Sequence, residues 1–405
     1  MAEARRDIQS LGWEHTPEML REHVLKVLWH NARFLSVRGT VAGKRNESAT
    51  ILAFLLPEHM MVISVKYISR RPMEKLVLCY PVKKKHLEQY RQALPELEVI
   101  NAGQEGIADA LSEADYFVGH AKVPVDWDLA VQHGHLKMIQ SSAAGLDHCL
   151  VPSVIASDIP VCSASGLFAN QVAEQTLALL YGVVRSLPTF FRQGLNREFV
   201  RRPTDDLHGK RVGIVGLGGN GRRIAELLAP LRNTIRATDF FPTNKPENVA
   251  ELWEAERLVE LASRSDVLIL ALPLNMSTRR IIGSEVFAAM PKGSYLINVA
   301  RGQVVDETEL VNALQSGHLA GAGLDVTESE PLQTDSPLWG IPNVLITPHV
   351  GAQSRSRVDD STRFACTNLR RFLDGKPLWN QVDKRLGFPH PEVMYCNQEE
   401  IKQSS

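Results

Sequence analysis

A chain of 405 residues is long enough for two or three domains and at least one large core. Its 44% apolar and 22% charged side chains are those of a globular protein and leave out general disorder and collagen-like repeats. Lys plus Arg number 45 against 46 Asp plus Glu, so no global field favours nucleic acid or an anionic membrane, and neither is expected as a partner. Five cysteines lie scattered without C-x-x-C pairs or neighbouring His at metal-ligand spacing, so no disulfide framework or metal site is expected. The apolar run Ile51 to Leu56 is cut by Pro57 and falls far short of the ~20 residues a membrane span needs. No signal peptide is read at the start, and a reducing cytoplasm is the expected location.

Taken in chain order, the first 72 residues carry a net charge of +4, against −5 for the remainder. Leu20, Val24, Val27 and Leu28 predict a helix over Thr16 to Ser36, whereas Arg45 to Met61 shows no consistent period. From Met73 the pattern becomes regular. Strand-like runs are predicted at Lys75–Tyr80, Leu97–Ile100, Tyr116–Gly119, Met138–Ser141 and Ile159–Ser163, with helices at Lys83–Leu94 and Asp128–Gly134. Repeated βα units imply a mostly parallel sheet. Asn170 to Leu187 reads as one long amphipathic helix ended by Pro188. A second series follows, with strands at Arg211, Arg236–Asp239, Val267–Ala271, Tyr295–Val299, Gly321–Asp325 and Val344–Thr347, then a helix over Arg355–Leu373. The expected fold class is α/β, with two Rossmann- or flavodoxin-like parallel-sheet domains. The expected divisions are residues 1–72 as an extension, 73–169 plus 356–390 as a substrate domain, 170–355 as a nucleotide domain and 391–405 as a tail.

Within the second series, the string from Lys210 to Leu228 sets Gly216, Gly218 and Gly221 as G-x-G-x-x-G between an apolar strand and an amphipathic helix. Gly216 permits the tight turn, Gly218 lets backbone approach a pyrophosphate, and Gly221 lets helix and strand pack closely. The helix N-terminus then offers free N–H groups to the anion. Asp239 stands 18 residues beyond Gly221, at the end of the next strand, where a carboxylate accepts ribose hydroxyls and repels a 2′-phosphate. Phe240 and Phe241 follow it where an NADP enzyme more often supplies Arg, so NAD is the expected cofactor.

Three ionisable residues close later strands: Arg301, Glu330 and His349. In a parallel sheet these ends open on the crevice that receives the dinucleotide. Their chemistry suits reduction of a 2-oxo acid: Arg301 to clamp the carboxylate, His349 to carry the proton, Glu330 to orient the imidazole and favour its cation. Each taken alone reads as an ordinary loop residue. His133, His135, His148, His208 and His318 have no comparable setting and are read as structural.

The run from about Met73 to Pro389 resembles the D-isomer specific 2-hydroxyacid dehydrogenases. The likeness rests on Asn298-Val-Ala-Arg-Gly-Gln-Val-Val-Asp306-Glu-Thr-Glu-Leu310, Gly321-Ala-Gly-Leu-Asp325-Val, Glu330-Pro-Leu and Pro342-Asn-Val-Leu-Ile-Thr-Pro-His349. It implies that Arg301, Glu330 and His349 form the catalytic triad, and that the nucleotide domain is inserted into a discontinuous substrate domain. The likeness also implies that Asp325 meets the nicotinamide carboxamide, that Gly219, Asn220, Leu272, Pro273, Thr278, Ala300 and Gly351 line the cofactor site, and that the Ala144 and Gly145 amides bind the substrate carboxylate beside Arg301. A homodimer is implied as well. Gly219-Asn220 departs from the bulky pair usual inside the fingerprint, and Phe168 and Gln175 replace the usual Asn and His.

Family members commonly begin near the strand at Lys75, so translation from Met73 is expected, with a genuine partner-binding appendage as the alternative. Narrower assignments are phosphoglycerate dehydrogenase or hydroxypyruvate/glyoxylate reductase. A formate-type enzyme fits less well, because its hydride donor needs no Glu–His pair. An NAD-sensing, corepressor-like scaffold is the alternative of another class.

Overall fold

The computed structural model describes residues 34–40, 47–55, 61–69 and 73–394. The chain divides into two compact units, residues 1–74 and 75–405. In the first, β1 (Phe34–Thr40), β2 (Glu47–Leu55) and β3 (Met61–Ser69) form an antiparallel sheet in the order β1-β2-β3. Most of the helix expected at Thr16 to Ser36 lies outside the described residues, and its last three positions open β1 instead. The stretch without a period contains β2, whose apolar residues cluster at its C-terminal end rather than alternating, so a period of two gives no signal.

The second unit holds two sheets. The five-stranded sheet runs β5-β4-β6-β7-β8, built from β4 (Glu74–Cys79), β5 (Leu97–Asn101), β6 (Tyr116–Gly119), β7 (Met138–Ser141) and β8 (Val161–Cys162). The seven-stranded sheet is parallel throughout, in the order β11-β10-β9-β12-β13-β14-β15. Its strands are β9 (Arg211–Val215), β10 (Thr234–Asp239), β11 (Glu251–Glu254), β12 (Val267–Leu270), β13 (Ser294–Asn298), β14 (Leu319–Leu324) and β15 (Val344–Ile346). β12 and β13 are buried along their whole length, as strands covered by helices on both faces must be. The edge strand β11, Glu-Leu-Trp-Glu, was not expected: four residues with two outward carboxylates carry too little pattern to stand out.

Helix α1 (Lys84–Ala93) flanks the five-stranded sheet, and α2 (Ala169–Val184) leads into the seven-stranded one. α2 is shorter than expected. The chain passes through Ser186 in the left-handed region, φ 54°, and starts a separate helix, α3 (Leu187–Leu195), with Pro188 in its first turn. Proline suits that place because the first-turn N–H has no helical partner to lose. The fingerprint opens α4 (Gly219–Leu228). Far downstream, α5 (Arg357–Leu373) packs against α1, burying Ala365, Cys366 and Leu369. Thr362 Oγ1 meets Tyr80 Oη at 2.8 Å and Asp359 meets His86 Nε2 at 2.7 Å, so the C-terminal segment returns to the five-stranded sheet. The seven-stranded sheet is thereby an insertion between two parts of one lobe.

Candidate active site

The strand order reverses between β9 and β12, and there the glycine turn sits. Gly216 has φ 93°, and a Cβ on it would lie 2.9 Å from the Ala271 carbonyl and from Leu272 Cα. A Cβ on Gly221 would fall 2.1 Å from the Gly216 carbonyl oxygen, whereas one on Gly218 would meet nothing within 4 Å. The turn is closed on its own packing and open on the groove, the shape an incoming pyrophosphate requires. A Cβ on Gly219 would lie 2.7 Å from Gly166 Cα in the loop after β8. That approach gives the Gly219-Asn220 departure a physical reason: a bulky residue at 219 would push the two lobes apart.

At the end of β10, Asp239 accepts the Leu217 amide through Oδ2 at 2.6 Å and the Phe241 amide through Oδ1 at 2.9 Å. Its carboxylate therefore braces the glycine turn as well as facing the groove. Arg222 holds the loop beyond it, donating to the Thr243 and Asn244 carbonyls at 2.9 and 2.7 Å. Across the groove, Thr278 Oγ1 donates to the Pro273 carbonyl at 2.8 Å, which shapes the Leu272–Thr278 loop, and the Ala300 amide donates to Asn298 Oδ1 at 3.0 Å. These residues fit a nicotinamide dinucleotide: a phosphate turn, a carboxylate for a ribose and an opposing apolar loop.

Two of the three ionisable residues are in direct contact, and the charge of the third, Arg301, acts on Glu330. His349 Nδ1 lies 2.8 Å from Glu330 Oε2. Burial pushes the Glu330 carboxyl up, but the His349 contact, the Thr327 amide and the Arg301 charge together bring it below the usual carboxylate range. Arg301 reaches the loop after β7 of the five-stranded sheet, where its guanidinium lies against Gly145, so close that a Cβ there would stand 1.8 Å from Nη2. Its Nη1 donates to its neighbour's carbonyl, that of Ala300, at 2.8 Å, and its Nε reaches Asp147 Oδ1 at 3.4 Å. Among the described residues neither the Ala144 nor the Gly145 amide donates to another group, so both are available beside that guanidinium.

The surroundings of these three residues complete the arrangement. His349 has φ 53°, in the left-handed region a side chain enters only under constraint. The constraint is Asp325: its carbonyl accepts the His349 amide at 2.7 Å, and its buried carboxylate accepts Thr347 Oγ1 at 2.7 Å, the Val350 amide at 3.0 Å and the Gly351 amide at 2.7 Å. Asp325 thus positions the loop that carries the imidazole. Asp147 pairs with Arg301, and burial, which raises its carboxyl, is outweighed by that cation and the local backbone. Next to it in sequence, the ring of His148 lies 4.0 Å from that of His120, tilted by 30°, and burial pushes His120 down to about 4 and His148 to about 3. Sequence spacing singled out neither His120 nor Asp147, and left His148 as structural. Among the described residues no group of three or more His, Cys, Asp or Glu is arranged to hold a metal, and no helix is long and apolar enough to cross a membrane.

The chain is 34% identical over 268 residues to the hydroxyphenylpyruvate reductase of Plectranthus scutellarioides, covering 84% of that protein and 65% of itself. Residues 177–351 match the family described as D-isomer specific 2-hydroxyacid dehydrogenase, NAD binding domain. The chain belongs to the D-isomer specific 2-hydroxyacid dehydrogenases. As a member it is an oxidoreductase acting on a CH–OH group with a nicotinamide cofactor. A family dehydrogenase from Xanthobacter autotrophicus Py2, crystallised with NADPH and MES, superposes with TM-score 0.65 and 31% identity over 78% of this chain and 100% of its own. The D-3-phosphoglycerate dehydrogenase of Mycobacterium tuberculosis is 31% identical over 287 residues, but this dehydrogenase spans only 54% of its length.

Proposed function

We propose that this dehydrogenase interconverts a D-2-hydroxy acid and its 2-oxo acid using NAD(H), with His349 as the acid and base. The observation that carries the reading is the meeting of Arg301 with Gly145 in one lobe while the His349–Glu330 pair faces it from the other. When bound, the nicotinamide ring supplies or accepts the hydride at the substrate's second carbon. The substrate carboxylate would lie on the Ala144 and Gly145 amides and the Arg301 guanidinium, a charge-assisted set that fixes the neighbouring carbonyl. As that carbon takes a hydride, its oxygen takes the proton from His349 Nε2 and the product is the hydroxy acid. Oxidation runs the same transfers backwards. Glu330, bonded to Nδ1, holds the ring's tautomer and offsets the charge of the protonated imidazole. The nicotinamide carboxamide contact implied for Asp325 would use a lone pair left on Oδ2, which among the described residues accepts only the Gly351 amide.

NAD rather than NADP is favoured by the Asp239 carboxylate, which would repel a 2′-phosphate. A homodimer is favoured by the apolar stripe of Leu187, Phe191 and Leu195 on α3, continued by Phe199. Phe191 is 64%, Leu195 85% and Phe199 97% exposed, more apolar surface than one isolated helix turn leaves in water without a partner. Residence in the cytoplasm fits the four described cysteines, all buried free thiols.

A panel of glyoxylate, hydroxypyruvate, phosphohydroxypyruvate, pyruvate and bulkier 2-oxo acids, followed by NADH oxidation, tests the reading. His349→Gln should lower kcat by roughly 10²- to 10⁴-fold, the range of a lost general acid, while NADH titrates as in the parent. Failure of the parent to turn over any of them would favour an NAD-sensing scaffold.

A further inference from the structure

Beyond α5 the chain does not end in the lobe it has rejoined. Asn380, fully buried, donates from Nδ2 to the Ser163 and Ser165 carbonyls at 3.2 and 2.8 Å, and Gln381 bridges Cys162. Val382 enters the core of the five-stranded lobe, and Lys384 Nζ donates to the carbonyls of Val154 at 3.0 Å, Ile159 at 3.2 Å and Ser157. From this anchorage a hairpin, β16 (Val382–Asp383) paired with β17 (Phe388–Pro389), turns through Gly387 at φ 80°. Its far end lies on the other lobe. Phe388 packs edge-on against Phe240 and Phe241, with ring centroids 5.8 and 6.1 Å apart, and His390 lies 4.5 Å from Phe241. The Leu386 carbonyl accepts Asn275 Nδ2 at 2.9 Å.

The two places it touches are the two walls of one groove. Phe240 and Phe241 directly follow Asp239, and Asn275 belongs to the Leu272–Thr278 loop opposite, where its Oδ1 also accepts the Ser277 and Thr278 amides at 3.0 and 3.1 Å. Phe240 keeps 53% of its surface exposed despite its ring contacts, so the corner retains an apolar aromatic face toward solvent. A planar heteroaromatic base stacks well on such a face.

We propose that the Val382–His390 hairpin is part of the cofactor site: with Phe240 and Phe241 it closes the adenosine end of the dinucleotide groove and retains the base. This assignment rests on the dinucleotide reading of the glycine turn and Asp239. Because the hairpin is rooted in the substrate-binding lobe, it also makes cofactor release depend on parting the two lobes' aromatic contact.

The test is calorimetric titration of the full chain with NADH and with AMP, a probe of the adenosine half alone. Phe388→Ala should weaken both by about tenfold, the effect of roughly 1.4 kcal/mol of lost aromatic contact. Phe240→Ala, which alters an exposed side chain and spares the fold, should produce the same loss, and the double variant should lose less than the product of the two. Unchanged AMP affinity in both single variants overturns the proposal, as does a loss in NADH affinity that AMP does not share. A parent protein that binds neither ligand would instead refute the dinucleotide reading beneath it.

Discussion

Replacing Gly145 by Ala separates positioning from folding. The added Cβ would stand 1.8 Å from Arg301 Nη2 and 2.6 Å from Cζ, where ordinary contact begins at 3.4 Å. The guanidinium must therefore retreat by about 1.5 Å, and a displacement near 1 Å at a reacting centre costs ~10²-fold. The fold should tolerate the change, because Gly145 does not occupy the left-handed region and the colliding atoms are the end of a flexible side chain. The expected result is kcat/KM for 2-oxo acid lowered by about 10²-fold, or roughly 2.7 kcal/mol of transition-state stabilisation. NADH affinity by fluorescence titration and the thermal unfolding midpoint should match the parent. Steady-state kinetics on the best substrate of the panel would measure this. A G145A enzyme within about threefold of the parent in kcat/KM would refute the placement of the substrate carboxylate between the loop and Arg301.

Asp239→Ser should move the ratio of NADPH to NADH efficiency toward NADPH by at least tenfold, since it removes the carboxylate that opposes a 2′-phosphate; an unchanged ratio would reject Asp239 as the discriminating group. The partly buried His120 and His148 titrate lower folded than unfolded, so the unfolded chain binds more protons. Stability present above pH 6.5 is then lost as pH falls toward 4, by about 2 kcal/mol per imidazole between pH 7 and pH 5. Urea denaturation of His148→Gln should show a shallower fall over that window, and an identical pH dependence would rule the pair out as its source. Phe191→Glu should convert a dimer to monomer by light scattering, and an unaltered mass would exclude α3 from the interface.

Much of the second unit is legible in residues 73–394 alone. β6 and β7 fall on the expected residues because short apolar runs between breakers have one economical conformation inside a parallel sheet. The fingerprint is legible because Gly216 and Gly221 answer local steric demands, a left-handed turn and a helix against its own strand. The break at Ser186 and the edge strand β11 are less visible: one depends on a single backbone angle and the other on pairing with β10.

The candidate site divides along the same line. The residue types at 301, 330 and 349 and their places at strand ends identify the chemistry, because proton transfer and carboxylate capture need those groups whatever surrounds them. Only the tertiary structure lays Arg301 on Gly145, 156 positions earlier in the chain, ties Asp147 to that guanidinium and brings Phe388 onto Phe240. Local sequence determines which conformations and charges a segment can offer. Which distant segments share one cleft is decided by the burial of two sheets and a returning helix, a property of the whole core that no short stretch carries.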